Sequence, residues 1–152
     1  PNWNTTIIRP LKQLVIKNPI QAVRDAIKNP VGSLPLKSII KTRKSIKSVC
    51  IVVSDATRPV QTHLIIEGLL KELIDYGIQE KKIRILIATG LHRPSCREEL
   101  NRILGTVLKS DAKITNHIAT DKKSLVSLHN SDLEEPIYIN KYYYESDLKI
   151  LT

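Results

Sequence analysis

Two apolar runs constrain the fold of this chain more than any other feature of its sequence. Val49–Val53 and Ile83–Ala88 are nearly continuous rather than alternating, which is typical of strands buried on both faces of a parallel sheet. Between the two runs, apolar residues recur at helical spacing at Ile66, Leu69, Leu70, Leu73 and Ile74. Gly77 follows as a helix stop. The pattern predicts a βαβ unit with parallel strands.

The remaining segments extend this unit into an α/β domain. We expect a mainly parallel sheet with flanking helices, a Rossmann-like three-layer arrangement, without the glycine pattern that binds dinucleotides. Residues 1–47 are predicted to be a leading segment with short helices, and residues 48–152 the α/β core of the same domain. A helix after the second strand is predicted to begin at a capping box of Ser95 and Glu98. Further strands are predicted at 111–117, 124–128, 136–140 and 147–151.

Composition narrows the class of protein. A chain of 152 residues with 41% hydrophobic residues can bury one core. No stretch is apolar enough to span a bilayer, and residues 1–20 lack a signal-peptide core, so we expect no membrane contact and a cytoplasmic location. Cys50 and Cys96 have neither disulfide nor metal-site spacing.

The net charge of +9 raises the alternative of nucleic-acid binding. The cations are spread along the whole chain, and the one dense run, between Lys37 and Lys47, is more typical of a solvated face. Aromatic residues make up 4% of the chain, too few for a base-stacking platform. We therefore expect no nucleic-acid partner.

Polar residues follow both predicted strands, in the loops 55–59 and 89–94. The carboxyl ends of parallel strands share one edge of the sheet, where ligands bind in open α/β folds. The loops should lie about 5 Å apart if the strands pair directly, or about 10 Å apart if another strand intervenes.

Arg58 and His92 are the candidates for chemistry at this edge. An arginine before Pro59 can present its planar guanidinium to a carboxylate or phosphate, although it could instead pair with Asp55 across the turn. Histidine is the side chain best suited to proton transfer at physiological pH, so His92 could give or take a proton. Gly90 allows close backbone approach, and Thr57 and Thr89 are expected to contribute to binding.

The other histidines are weaker candidates. His117 ends the third predicted strand and could reach the same edge with Asp121 as its partner, but a locally bonded loop histidine is the commoner case. His63 and His129 are expected to be structural or solvent-facing. The four histidines have no metal-site spacing, so no metal site is predicted.

Taken together, these motifs resemble the N-terminal domain of the nickel-dependent lactate racemase family. The resemblance covers residues 18 to the end and rests on residues 30–36, 54–59, 87–94, 116–117 and 139–140 and on Asp147. It implies a racemase or epimerase of a 2-hydroxy acid that uses a nickel-pincer nucleotide as hydride acceptor. Arg58 would bind the substrate carboxylate, His92 would be one of two proton-transferring histidines, and Asp55 would lie near the cofactor or Arg58.

The resemblance also implies that the second histidine, the cofactor-bearing lysine and the nickel ligand lie beyond Thr152. We therefore expect this chain to be the N-terminal part of a longer two-domain protein, inactive alone and without bound cofactor. The domain that is missing would be its partner, and an uncovered apolar face could cause self-association. The alternative is a non-catalytic anion-binding or interaction module of the same fold.

Overall fold

The computed structural model describes residues 5–11, 13–128 and 136–152. The strands in chain order are β1 (Val49–Ser54), β2 (Ile83–Ala88), β3 (Lys113–Asn116), β4 (Leu125–Leu128), β5 (Ile137–Asn140) and β6 (Leu148–Leu151). Four of them form one parallel sheet in the order β3-β2-β1-β6, and β4 and β5 form a separate antiparallel pair. The predicted α/β class with a mainly parallel sheet is confirmed.

In the described ranges, five α-helices connect and flank the strands. They are α1 (Pro19–Lys28), α2 (Leu36–Thr42), α3 (Thr62–Asp75), α4 (Arg97–Leu104) and α5 (Lys141–Glu145). Three short 3₁₀ turns occupy Glu80–Lys82, Gly105–Lys109 and Lys122–Ser124. No helix in the described part of the chain is long and apolar enough to cross a bilayer.

The predicted βαβ unit is β1, α3 and β2. The α3 helix ends at Asp75, and Gly77 follows two residues later. The φ of Gly77 is 88°, in the left-handed region that residues with a side chain rarely adopt. There the amide of Gly77 donates to the Ile74 carbonyl (2.8 Å) and that of Ile78 to the Leu73 carbonyl (3.0 Å). These bonds close the last turn and return the chain to β2.

The main core lies between one face of the sheet and the helices α3 and α4. Alternate residues of β1 and β2 point into it and are almost fully buried, as are the apolar residues of α3 that face them. These residues are Val49, Ile51, Val53, Ile83, Ile85, Ile87, Ile66, Leu69 and Leu73. The strands can be continuous apolar runs because α5 covers part of the second face, where Cys50 is also buried.

The leading segment is attached to this core through α1, which packs on α3. Glu72 of α3 is fully buried and accepts hydrogen bonds from Arg24 (2.5 Å) and from the Tyr76 hydroxyl. Lys28 lies 3.2 Å from the same carboxylate. Burial raises the pKa of Glu72, but these donors lower it more, so its pKa falls below the ordinary value. Burial and the bond to Glu72 raise the pKa of Tyr76 to about 12.

The predicted start of α4 was wrong by one residue. The helix begins after Cys96, and the capping box joins Cys96 to Glu99, whose carboxylate accepts from the Cys96 amide at 2.9 Å. The Ser95 amide, which a capping box would pair with the Glu98 side chain, donates instead to the Asn116 side chain at 3.0 Å. The boundary between residues 1–47 and 48–152 stays a prediction.

Candidate functional site at the carboxyl edge of the sheet

The two predicted site loops lie side by side because β1 and β2 pair directly. Ser54 is in register with Ala88 at the ends of the two strands, so Asp55 and Thr89 begin neighbouring loops. This is the closer of the two expected arrangements. A cleft of about 450 Å³ opens between the loops and is lined by residues of both, including Arg58 and His92.

Asp55 forms the buried centre of the site. Its Oδ1 atom accepts hydrogen bonds from the hydroxyl (2.6 Å) and the amide (3.3 Å) of Thr57. Its Oδ2 atom lies 2.7 Å from Nδ1 of His92. The Thr57 hydroxyl, followed by His92, lowers the pKa of Asp55 below its ordinary value. Asp55 is therefore an ionised acceptor at neutral pH.

His92 combines a fixed ring nitrogen with an exposed side chain. An ionised Asp55 accepts a hydrogen bond from Nδ1–H, so in the neutral imidazole Nε2 is the unprotonated nitrogen. The His92 side chain is 61% exposed. The backbone amide of His92 donates to the Thr89 carbonyl at 2.9 Å. Gly90 makes this turn possible with a φ of 58°. The geometry suits an imidazole that exchanges a proton through Nε2.

Arg58 is exposed and forms no ion pair with Asp55, so the expected alternative of a pair across the turn is wrong, while the anion-binding role stays a prediction. Their contact is a backbone bond of 3.3 Å from the Arg58 amide to the Asp55 carbonyl. Among the residues that the structure describes, no carboxylate forms an ion pair with the Arg58 guanidinium. A cation on the wall of an open cleft can receive a carboxylate from solution.

The loop that carries His92 is anchored by three contacts that were not predicted from the sequence. Arg93 pairs with Glu99 through two hydrogen bonds of 2.8 and 2.9 Å, and Glu99 also caps α4. The Ser95 amide is bound by Asn116. Arg93 and then Cys96 lower the pKa of Glu99 to about 2. The loop is thereby fastened to α4 and to β3.

Thr89 is the third anchor rather than an open binding group. It is 2% exposed, and its hydroxyl donates to the carbonyl of His117. A hydroxyl engaged in this way joins the ends of β2 and β3. Its predicted part in ligand binding stays a prediction, since Thr89 also lines the cleft.

The expected partner of His117 was wrong. Asp121 caps a 3₁₀ turn by accepting from the Lys123 amide, whereas Nδ1 of His117 lies 3.3 Å from the Asn140 amide nitrogen. Asn140 also caps α5 by accepting from the Tyr142 amide. The pairing needs contact between segments far apart in the chain, so periodicity could not reveal it.

The other histidines and the cysteines add no metal site within the described residues. His63 is on α3, and His129 is outside the described residues. The described segments contain no group of three or more His, Cys, Asp or Glu residues that could hold a metal ion. Cys50 and Cys96 are free thiols, and burial raises the pKa of Cys50 to about 11.

Comparison with known proteins agrees with the motif resemblance. The family described as lactate racemase N-terminal domain matches residues 1–152. The lactate racemase of Lactiplantibacillus plantarum is 36% identical over 130 residues, which cover 86% of this chain and 30% of that protein. The lactate racemase of Thermoanaerobacterium thermosaccharolyticum is 28% identical over 128 residues, 84% of this chain and 29% of that protein.

Solved structures extend the likeness to the fold. The lactate racemase apoprotein from T. thermosaccharolyticum superposes with a TM-score of 0.75 and 26% identity, over 88% of this chain and 31% of that one. A protein from Thermotoga maritima superposes with a TM-score of 0.63 and 22% identity, over 91% and 34% of the two chains, and shows the fold alone. The chain thus spans about a third of the length of the relatives it matches.

Proposed function

The chain belongs to the lactate racemase N-terminal domain family, and from this premise we propose that it forms the substrate-facing N-terminal domain of a racemase or epimerase. The substrate class is lactate or a related 2-hydroxy acid, since two relatives named lactate racemase match most of the chain. The single observation that carries the proposal is the cleft lined by both an oriented imidazole and the Arg58 side chain, which forms no ion pair with any described residue.

His92 is the proton-transferring group in this proposal. Its Nδ1–H is held by Asp55, which leaves Nε2 to take the hydroxyl proton of the substrate and to return it. Thr57 fixes the other oxygen of Asp55, so the carboxylate cannot rotate away from the imidazole. Asp55 and Thr57 are therefore positioning residues.

Arg58 is the group that binds the substrate carboxylate. A planar guanidinium can donate two parallel hydrogen bonds to a carboxylate, which fixes orientation as well as position. This orientation would bring the hydroxyl on the adjacent carbon toward His92, because the two side chains line the same cleft. Gly90 keeps the backbone free of a Cβ at this wall.

The cofactor implied by the resemblance, a nickel-pincer nucleotide, gains no support from the metal ligands available here. The described residues supply no cluster of potential ligands, so we derive no step through that group. The hydrogen on the substrate carbon must be taken and returned by a group outside the roles assigned to this chain. We accordingly propose that activity belongs to the whole protein and that these 152 residues alone are inactive.

The experiment is a racemisation assay on the full-length, cofactor-loaded protein that contains this chain. Chiral chromatography should show interconversion of L- and D-lactate. We expect Arg58→Ala to raise KM steeply and His92→Ala to lower kcat by about 10²-fold or more. Arg97→Ala is the matched control, since Arg97 is an exposed arginine on α4 outside the cleft.

Two outcomes would overturn the proposal. One is full activity in both Arg58→Ala and His92→Ala, which would remove the assigned roles. The other is saturable binding of lactate without racemisation by the loaded protein, which would favour the non-catalytic anion-binding module.

A further inference from the structure

A second cleft, which we call the amino-edge cleft, lies at the opposite end of the strands from Asp55 and His92. Its volume is about 380 Å³, and it lies where β1, β2 and β3 begin, beside α5. Glu145 is the one carboxylate among its lining residues. The cations that line it are Lys47, Lys81, Lys82, Arg84 and Lys113.

The sheet register places like charges next to each other at this cleft. Lys149 of β6 is paired with Cys50, Cys50 with Arg84, and Arg84 with Lys113, so the four residues form one row across the sheet. Paired residues of parallel strands point to the same face, and adjacent strands are about 4.8 Å apart. Like charges directly opposite destabilise a sheet. Arg84 and Lys113 therefore face each other at a cost in stability.

Among the described residues, no carboxylate forms an ion pair with Lys149, Arg84 or Lys113 of this row. In the part of the chain that the structure describes, none of the five cleft cations forms an ion pair with a carboxylate. The positive charge also acts on the Cys50 thiol between Arg84 and Lys149. Burial raises the pKa of this thiol, and the two cations lower it by a smaller amount. The cleft thus has a surplus of positive charge that an anion would offset.

Arg84 is also held in a fixed orientation. Its guanidinium carbon lies 3.8 Å from the centroid of the Tyr142 ring, and one nitrogen donates to the Thr115 hydroxyl. The side chain makes no other hydrogen bond to the described residues, so most of its N–H donors have no protein acceptor. A half-buried, stacked guanidinium with free donors is suited to a phosphate.

We propose that the amino-edge cleft binds a small, multiply charged phosphate anion, a diphosphate or triphosphate group. Arg84 is the fixed contact, and Lys82 and Lys113 contribute charge. Lactate carries a single charge and would leave most of these cations uncompensated. A nucleic acid is disfavoured because Tyr142, the one aromatic lining residue, already has Arg84 against its ring.

This site is separate from the carboxyl-edge cleft. Arg84 lies near the start of β2, and Thr89 lies just past its end. At the rise of an extended strand the two residues are roughly 16 Å apart. An anion at Arg84 would not occlude His92. The inference therefore holds whether or not the carboxyl-edge site is catalytic.

The experiment titrates the chain with orthophosphate, pyrophosphate, tripolyphosphate and ATP at 0.1–0.2 M salt. Calorimetry and amide NMR shifts should report saturable binding of pyrophosphate and tripolyphosphate at least tenfold tighter than of orthophosphate. The largest shifts should fall on Lys82, Arg84, Lys113 and Ser146. Equal affinity for ATP and tripolyphosphate identifies a phosphate-tail site, and tighter binding of ATP identifies a nucleotide site.

Variants separate a defined site from general charge attraction. Arg84→Lys keeps the charge but loses the planar fork and should weaken pyrophosphate binding about tenfold, and the exposed Lys113→Gln should weaken it a few-fold. Arg97→Gln removes one charge outside the cleft and should have no effect. Equal losses in Arg97→Gln and Lys113→Gln, non-saturable binding, or shifts centred on Asp55 and Arg58 would each overturn the proposal. Melting temperatures with and without pyrophosphate check that every variant is folded.

Discussion

His92 Nδ1 lies 2.7 Å from Asp55 Oδ2, although the imidazole is 61% exposed and the carboxylate only 9%. The buried partner is fixed and the exposed partner depends on it for orientation. A buried carboxylate with both oxygens engaged defines which nitrogen of the imidazole carries the hydrogen.

Asp55→Asn should remove the preference for the Nδ1–H tautomer of His92 while keeping the shape of the side chain at position 55. In the wild-type chain, ¹⁵N NMR of labelled histidine should show His92 in the Nδ1–H tautomer when neutral. The variant should show mixed tautomers, and in the proposed full-length racemase kcat should fall by about 10²-fold or more. An unchanged tautomer in Asp55→Asn would contradict the assigned contact.

Thr57→Val should raise the pKa of Asp55, because it removes the 2.6 Å hydroxyl bond that contributes most to lowering it. Thr57→Ser keeps a hydroxyl and is the matched control. Carboxyl ¹³C titration measures the pKa in each variant. Because the folded-state pKa is lowered, the stability that Asp55 contributes is present above its ordinary pKa of about 3.9 and is lost as the pH falls through the lowered value. Thr57→Val should therefore lose this contribution at higher pH than the wild type does.

Glu99→Gln should loosen the His92 loop. The change removes the charge that pairs with Arg93 and weakens the cap on α4. Amide hydrogen exchange of Cys96 and its neighbours should become faster, and kcat of the proposed full-length racemase should fall more than KM rises. Glu98→Gln, one residue earlier in the same helix turn, removes a contact with Cys96 but none with Arg93, and it should speed exchange less. Equal effects of the two substitutions would argue against a specific clamp.

Acid should weaken the attachment of α1 to α3 through Glu72. The lowered pKa of this carboxyl means that its contribution to stability is complete above about pH 4.3 and is lost as the pH falls through the folded-state value. Thermal melting between pH 7 and pH 3 should show a steep loss in the wild type. Glu72→Gln should be less stable at pH 7 and less sensitive to acid, whereas Glu145→Gln, an exposed carboxylate in no described ion pair, should follow the wild type. Parallel pH profiles for the wild type and Glu72→Gln would contradict this role.

The exposed apolar side chains of residues 5–17 should cause self-association of the isolated chain. Leu11 is 83% and Leu14 96% exposed, and Ile7, Ile8 and Val15 are exposed along the same segment. Light scattering should show a mass that rises with concentration. Replacing Leu11 and Leu14 by Glu should lower it, while replacing Thr5 and Thr6, polar neighbours, by Glu adds the same charge as a control. A concentration-independent monomer would remove this prediction.

Local signals predicted the parts of the fold that depend on neighbouring residues. The sequence pattern of each element predicted its secondary structure. These patterns are the apolar run at Val49–Val53, the helical repeat that ends before Gly77 and the apolar run at Ile83–Ala88. Their direct pairing then brought Asp55 to His92.

Contacts between distant segments could not be read in the same way. The α4 helix begins after Cys96, where Asn116 of a later strand binds the Ser95 amide. The side chain that pairs with His117 is Asn140, also distant in the chain. The row from Lys149 to Lys113 depends on the register of four strands, which no stretch of sequence specifies by itself.

The direct pairing of β1 with β2 makes the proposed proton-transfer part of this site a contiguous unit of sequence. Asp55, Thr57, His92 and the anchor Glu99 lie within residues 49–99, and the anchors Asn116 and His117 follow in the same stretch of chain. Recombination outside residues 49–117 would leave their mutual geometry intact. Descendants of such a gene can therefore exchange the surfaces that surround the cleft while inheriting the same imidazole and its carboxylate as one unit.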